Sequence, residues 1–113
     1  LAGATVTEVA IETSEGTFEP DVVWAPSAFW DAQDRDRVDL PSAPPLVVEV
    51  LSKSNTATEM RNKVDAYLAA GAAEVWLVAQ NGNAEFYGER GILPRSYVAD
   101  CDAADVLAAI ELK

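Results

Sequence analysis

The spacing of apolar positions predicts two buried strands joined by a helix in the middle of the chain. Residues 46–51 are apolar apart from one acid, with two prolines before them and a Ser/Asn-rich segment after them, which is typical of a buried strand. From a capping-box signature at Thr56 to about Ala70, apolar residues recur at helical spacing before a glycine. A second buried strand follows over residues 74–79. This order predicts a right-handed βαβ unit with parallel strands.

Before and after this βαβ unit, a weaker alternation of apolar and polar residues predicts the remaining strands of the sheet. Residues 5–13 and 18–24 flank a turn at Gly16 and are expected to form a hairpin, in which Pro20 marks an edge or an interruption. An Asn-Gly pair predicts that residues 84–87 return antiparallel to the second buried strand.

The remaining segments have weaker patterns. Residues 25–45 predict a long polar connection with four prolines and a short helical turn over residues 27–32. Residues 103–110 predict a short helix. Trp24, Trp76 and Tyr67 are expected to pack in the core, because aromatic residues at such positions serve mainly burial.

Composition narrows the class of protein. The chain has 113 residues, half of them hydrophobic, which predicts one globular domain over residues 1–113. No apolar run approaches the roughly 20 residues of a membrane span, so no membrane partner is expected. The single cysteine, Cys101, excludes an internal disulfide framework and predicts a cytoplasmic protein. The absence of histidine excludes Ser-His and Cys-His catalysis and His-based metal sites.

Charge is strongly negative and unevenly distributed. The formal net charge is -11, from 8 basic and 19 acidic residues, which argues against binding a phosphate backbone over the whole surface. The clearly positive stretch carries Lys53, Arg61 and Lys63 against Glu59 alone, and it directly follows the first buried strand.

Glu49 is the most informative acid in the sequence. Side chains alternate along a strand, so Val47, Glu49 and Leu51 share the face opposite Leu46 and Val48. A buried carboxylate must be neutralised, paired with a cation or bound to a metal. Glu49 is therefore expected to form either a structural ion pair or part of a functional site.

Asp21 and Lys63 complete a set of candidate groups. Asp21 follows a rigid proline, which fits either a strand-entry turn or a held ligand. With Glu49 on a neighbouring strand and the carbonyl of Val50, it would offer a hard cation such as Mg²⁺ the oxygen ligands that it prefers. Lys63 flanks the apolar stripe of the helix, where it is either an ordinary edge lysine or a cation that reaches the sheet.

The order of these elements resembles the Uma2 family. The resemblance rests on Pro20-Asp21, residues 47–52, the Lys63-(x)3-Tyr67 spacing and residues 71–78, and it covers about residues 18 to 90. It implies an α/β, restriction-endonuclease-like fold of the PD-(D/E)xK type: a mixed β-sheet flanked by helices. Family members usually carry a longer N-terminal part, so the resemblance implies that this part is shortened here or that another subunit completes the site.

The resemblance also implies roles for the polar residues. Asp21 and Glu49 correspond to metal ligands. The general nuclease pattern places a lysine two residues after the second acid, where this chain has Leu51. Uma2-like sequences take the lysine from the following helix, which matches Lys63, and Lys53 is a second candidate.

Two functions follow as hypotheses. The first is an endonuclease dependent on Mg²⁺ (or Mn²⁺) that hydrolyses DNA phosphodiester bonds through Asp21, Glu49 and Lys63. The alternative is a non-catalytic interaction module that retains the nuclease fold. An open sheet edge left by the short N-terminal part also predicts a possible homodimer.

Overall fold

A six-stranded mixed sheet forms the centre of the computed structural model, which describes residues 3–105. Its strand order is β1-β4-β6-β7-β8-β9, and a second sheet has the order β3-β2-β5. In chain order the elements are β1 (Ala4–Val6), β2 (Ala10–Thr13), β3 (Gly16–Phe18), β4 (Val22–Ala25), α1 (Ser27–Asp31), β5 (Asp39–Leu40), β6 (Leu46–Val50), α2 (Ala57–Ala69), β7 (Glu74–Val78), β8 (Ala84–Gly88) and β9 (Gly91–Leu93). The predicted fold class, a mixed sheet flanked by helices, is confirmed.

The predicted βαβ unit is present. Strands β6 and β7 pair in parallel, with Glu49 opposite Leu77. Helix α2 begins at the predicted cap, where the Thr56 hydroxyl accepts the Glu59 N–H at 3.1 Å. It ends at Ala69, and Gly71, two residues later, has a φ of 117° that reverses the chain in a conformation favouring glycine.

The predicted hairpin is divided between the two sheets. Strand β1 pairs with β4 in the large sheet, whereas β2 pairs with β3 in the small one. The break falls at residues 7–9 on one side, where Glu8 has a φ of 57°, and at residues 19–21 on the other. Pro20 lies buried at this break and has no N–H to continue the ladder. The interruption predicted at Pro20 is confirmed, and it leaves Asp21 immediately before β4.

The connection over residues 26–45 is more regular than its sequence predicts. The predicted helical turn is α1. Beyond it, β5 adds a short parallel strand next to β2, and Arg37 bridges Glu12 and Asp39 at 3.1 and 3.4 Å. The expectation of an irregular polar loop was wrong at β5, because a two-residue strand is too short to show alternation.

The core lies between the large sheet, the small sheet and α2. Tyr67 is fully buried there, as predicted. Trp24 and Trp76 are instead half-buried on the opposite face of the large sheet, since they follow the core residues Val23 and Val75 by one position. The core cluster comprises Ile11, Val23, Leu40, Ala43, Val47, Met60, Val64, Tyr67, Ala72, Val75 and Leu77.

The C-terminal helix is described only at its start. Asp102 and Asp105 each accept the other's N–H at 2.9 Å, and residues 103–105 are helical. The rest of the helix predicted over residues 103–110 lies outside the described residues. Within residues 3–105, the helices are too short or too polar to cross a membrane.

Candidate active site

Asp21 and Glu49 meet where β4 and β6 run side by side. Val22 pairs with Val48 in this antiparallel ladder, so Asp21, which precedes Val22, lies opposite Glu49, which follows Val48. The Asp21 N–H donates to Glu49 Oε1 at 3.0 Å, and the Val50 N–H donates to Asp21 Oδ2 at 2.7 Å. Each carboxylate is therefore held by a backbone group next to the other carboxylate.

Helix α2 places two further donors on Glu49. Lys63 Nζ lies 3.2 Å from Glu49 Oε2, and the Tyr67 hydroxyl lies 3.5 Å from the same oxygen. The two residues are four positions apart, so they project from the same face of the helix. The tyrosine contact is longer than an ordinary hydroxyl hydrogen bond.

The two acids differ in their access to water. Glu49 is only 4% exposed, whereas Asp21 is an exposed residue. Val50, at the end of its strand, is 46% exposed. The site is thus open to solvent on the side of Asp21 and Val50, and closed by α2 on the side of Glu49.

Aromatic rings support the two helical donors. Phe18 packs edge-on against Tyr67 with 5.8 Å between ring centroids, and Lys63 Nζ lies 5.7 Å from the centre of the Phe18 ring. Burial raises the pKa of the Tyr67 phenol, and the charge and hydrogen bond of Glu49 and the charge of Asp21 raise it further. Tyr67 is therefore a protonated donor to Glu49.

The donor set fits a hard divalent cation. Glu49 accepts three hydrogen bonds, which leaves about one of the roughly four acceptor positions of a carboxylate. Asp21 Oδ1 accepts no hydrogen bond from the described residues. Two carboxylates and one ammonium leave a single net negative charge. Residues 3–105 contain no group of three or more Asp, Glu, Cys or His able to hold a metal, so a cation here would keep several water ligands, as Mg²⁺ does.

The geometry separates the two candidate lysines. Lys63 contacts Glu49, whereas Lys53 is exposed in the turn after β6. Across residues 3–105, no hydrogen bond or ion pair joins Lys53 to either carboxylate. The sequence predicts Tyr67 as a core residue and includes it in the Lys63-(x)3-Tyr67 spacing, but it predicts no role for the hydroxyl. The position of Tyr67 four residues after Lys63 is the signal that both side chains reach the same oxygen.

A groove lies next to α2, beyond the end of β6. It encloses about 610 Å³ between α2 and strands β8 and β9, and it begins at Leu51, directly after Val50. Leu77 and Tyr87 line the groove on the sheet, and Arg61 lines it on the helix. Asp21, Glu49 and Lys63 are not among the residues that line this groove, so the groove is a concave surface that the carboxylate pair does not line.

Comparison with known proteins identifies the family. A sequence profile described as "Uma2: Putative restriction endonuclease" matches residues 2–96, most of the chain. The chain belongs to the Uma2 family. The predicted family is thereby confirmed, and membership supports a nuclease-like function. No curated protein matches the sequence.

A solved structure supports the fold of this Uma2 protein. The crystal structure described as a "putative nuclease belonging to DUF820" from Anabaena variabilis superposes with a TM-score of 0.72 and 13% sequence identity. The match covers 96% of this chain and 69% of the other. At this identity the likeness concerns the fold alone.

A second buried glutamate in this Uma2 chain has a different environment from Glu49. Glu74 is 3% exposed at the start of β7, whereas Glu49 lies near the end of the adjacent β6. Burial opposes ionisation of Glu74, but hydrogen bonds outweigh it and lower its pKa. The donors are the Ser96 hydroxyl (2.6 Å), the Trp76 indole (3.1 Å) and the N–H groups of Val98 (2.9 Å) and Tyr97 (2.7 Å). Glu74 therefore fastens the segment after β9 to the sheet.

We expect Glu74→Gln to lower the free energy of unfolding by about 1–3 kcal/mol, because the amide cannot accept from every donor and leaves at least one unpaired. Urea denaturation at pH 7 measures this loss. The lowered pKa means that the carboxylate stabilises the fold above the unfolded value of about 4.3 and that this contribution is lost as the pH falls through the folded value. The wild type should therefore lose more stability than Glu74→Gln below about pH 4.3. Equal acid sensitivity of the two proteins would contradict this role.

Proposed function

We propose that this Uma2 protein is an endonuclease dependent on Mg²⁺ (or Mn²⁺) that hydrolyses phosphodiester bonds of DNA. The observation that carries the proposal is the convergence of Asp21, Glu49 and Lys63, which come from the residue before β4, from β6 and from α2. A purely structural ion pair would account for Glu49 and Lys63. It would not account for Asp21, whose exposed carboxylate is fixed beside Glu49 by the backbone of Val50.

Asp21 and Glu49 would hold the cation, with the carbonyl of Val50 as a third oxygen ligand. Asp21 Oδ1 and the remaining acceptor position of Glu49 supply the negative charge. When bound, the cation polarises a phosphoryl oxygen and lowers the pKa of a bound water. The exposure of Asp21 and Val50 places this position at the protein surface, where a phosphate can approach.

Lys63 would supply a positively charged group to the reaction. Its side chain is 28% exposed, and its ammonium pairs with Glu49. Once Glu49 has another cationic partner, Lys63 can turn toward the attacking water or toward the charge that develops on the phosphate. Either role is typical of a positioned lysine in phosphoryl chemistry.

The surroundings favour a nucleic acid despite the negative net charge. Lys53 lies in the turn after β6, and α2 carries Arg61 and Lys63; of the three, Arg61 lines the groove that begins at Leu51. A local cluster of cations beside the carboxylates can position a phosphate backbone that the remainder of the surface repels. We place the enzyme in the cytoplasm because of its single cysteine. A homodimer through an open sheet edge stays a prediction.

Nicking of supercoiled plasmid DNA tests the proposal. We expect the wild type to convert supercoiled to relaxed plasmid in Mg²⁺ or Mn²⁺, and a chelator to stop the conversion. The Asp21→Asn variant keeps the shape of the side chain and should be inactive. Nicking that persists in the chelator or in Asp21→Asn would contradict the proposed site. A folded wild type that neither binds the cation nor nicks DNA would support the non-catalytic module.

A further inference from the structure

A polar group in the middle of the core calls for a physical explanation. Tyr67 is fully buried, and its hydroxyl lies at the end of a side chain otherwise surrounded by apolar residues. A buried phenol normally needs a hydrogen-bond partner. Among the described residues, the partner of this hydroxyl is Glu49. Phenylalanine would fill the same space without burying a hydroxyl, so the hydroxyl is tied to Glu49 rather than to packing.

The two helical donors act on Glu49 Oε2 in different ways. Lys63 brings a positive charge, which repels an incoming cation, and it is free to move because it is partly exposed. Tyr67 brings a neutral hydroxyl on a ring that cannot move, since it is enclosed by the core and packs edge-on against Phe18. The tyrosine can therefore orient the carboxylate without competing with a cation for its charge.

We propose that Tyr67 is a positioning residue that fixes the Glu49 carboxylate for cation binding. This inference rests on the proposed function, since it concerns the same site. The Asp21 N–H holds Oε1 and Tyr67 holds Oε2, so both oxygens stay oriented when Lys63 leaves. Groups that orient a metal ligand in this way typically change metal affinity by about 10–100-fold when they are removed.

We expect Tyr67→Phe to bind Mg²⁺ about tenfold more weakly than the wild type in calorimetry without DNA. The concentration of Mg²⁺ that half-saturates plasmid nicking should rise by the same factor, while the rate at saturating Mg²⁺ returns to the wild-type value. This division follows because Tyr67 orients a ligand and does not touch the reacting atoms. A purely structural role would change the stability in urea and leave the Mg²⁺ affinity unchanged.

Tyr87→Phe is the matched control. It removes a phenol hydroxyl from the same face of the sheet, where Tyr87 pairs with Val75 and lines the groove instead of contacting Glu49. Mg²⁺ should also perturb the near-ultraviolet absorption of one tyrosine in the wild type, and this signal should persist in Tyr87→Phe and be lost in Tyr67→Phe. The signal in the wild type gives a second test that needs no variant to fold.

The outcomes separate the two claims. Wild-type protein that does not bind Mg²⁺ overturns the proposed function and the role of Tyr67 with it. If the wild type binds Mg²⁺ and Tyr67→Phe binds it with the same affinity, only the role of Tyr67 is overturned. The same holds if Tyr87→Phe loses as much Mg²⁺ affinity as Tyr67→Phe.

Discussion

We expect the Glu49→Gln variant to lose saturable Mg²⁺ binding and to nick plasmid DNA on the order of a thousandfold more slowly than the wild type. The amide keeps the size of the side chain and can still accept from the Asp21 N–H, but it lacks the charge that holds a hard cation. Charge stabilisation by a bound metal supplies several kcal/mol, and each 1.36 kcal/mol corresponds to about a factor of ten in rate. Calorimetry and the plasmid assay on the same preparations measure the two losses.

Glu74→Gln is the matched control for this experiment. It makes the same chemical change at a buried glutamate on the neighbouring strand, but at the opposite end of the parallel pair. We expect it to lose stability and to bind Mg²⁺ with wild-type affinity when measured well below its unfolding transition. The reverse pattern, in which Glu74→Gln loses the cation and Glu49→Gln keeps it, would refute the assignment of the site.

The Lys63→Met variant should lose activity while its affinity for Mg²⁺ rises. Removing a positioned donor from the transition state costs about 10²–10³ in rate. The ammonium now 3.2 Å from Glu49 also competes with an incoming cation for that carboxylate. Its removal should tighten Mg²⁺ binding roughly fivefold, since two charges 4 Å apart interact by about 1 kcal/mol even with the screening of bulk water and about 1.4 kcal/mol corresponds to a tenfold change in affinity. Calorimetry and single-turnover nicking separate the two effects.

Lys53→Met identifies which lysine acts in the site. The change is the same, but Lys53 is exposed in the turn after β6. We expect its Mg²⁺ affinity to match that of the wild type, with at most a weaker attraction for DNA at low salt. If Lys53→Met stopped nicking and Lys63→Met did not, Lys53 would be the catalytic lysine and the Lys63–Glu49 contact would be structural.

The elements around the site were predictable because local signals agree there. Residues 46–51 have turn signals on both sides, and α2 has a capping residue, an apolar stripe and a terminal glycine. The parallel pairing of β6 and β7 then follows from the handedness of the crossover. Of the two alternatives that the sequence leaves open for Lys63, the structure shows the cation that reaches the sheet, with its ammonium 3.2 Å from Glu49.

What the sequence did not predict depends on contacts between distant segments. The hairpin splits at Pro20 into two sheets, and alternation within each strand carries no information about which sheet each half joins. Strand β5 forms only because β2, which is distant in sequence, lies beside it in the folded protein. The periodicity of α2 predicts Tyr67 as an ordinary core residue. The contact of its hydroxyl with Glu49 depends on where the Glu49 side chain lies on the facing sheet.

The most direct test of the account is a crystal structure of the wild-type protein grown with Mn²⁺, with anomalous scattering recorded at the manganese edge. We expect one strong anomalous peak in contact with both the Asp21 and Glu49 carboxylates and the Val50 carbonyl, with Tyr67 still bonded to Glu49 and Lys63 turned away from it. A protein saturated with Mn²⁺ that shows no peak at these two carboxylates, and keeps the Lys63–Glu49 pair intact, would contradict the account.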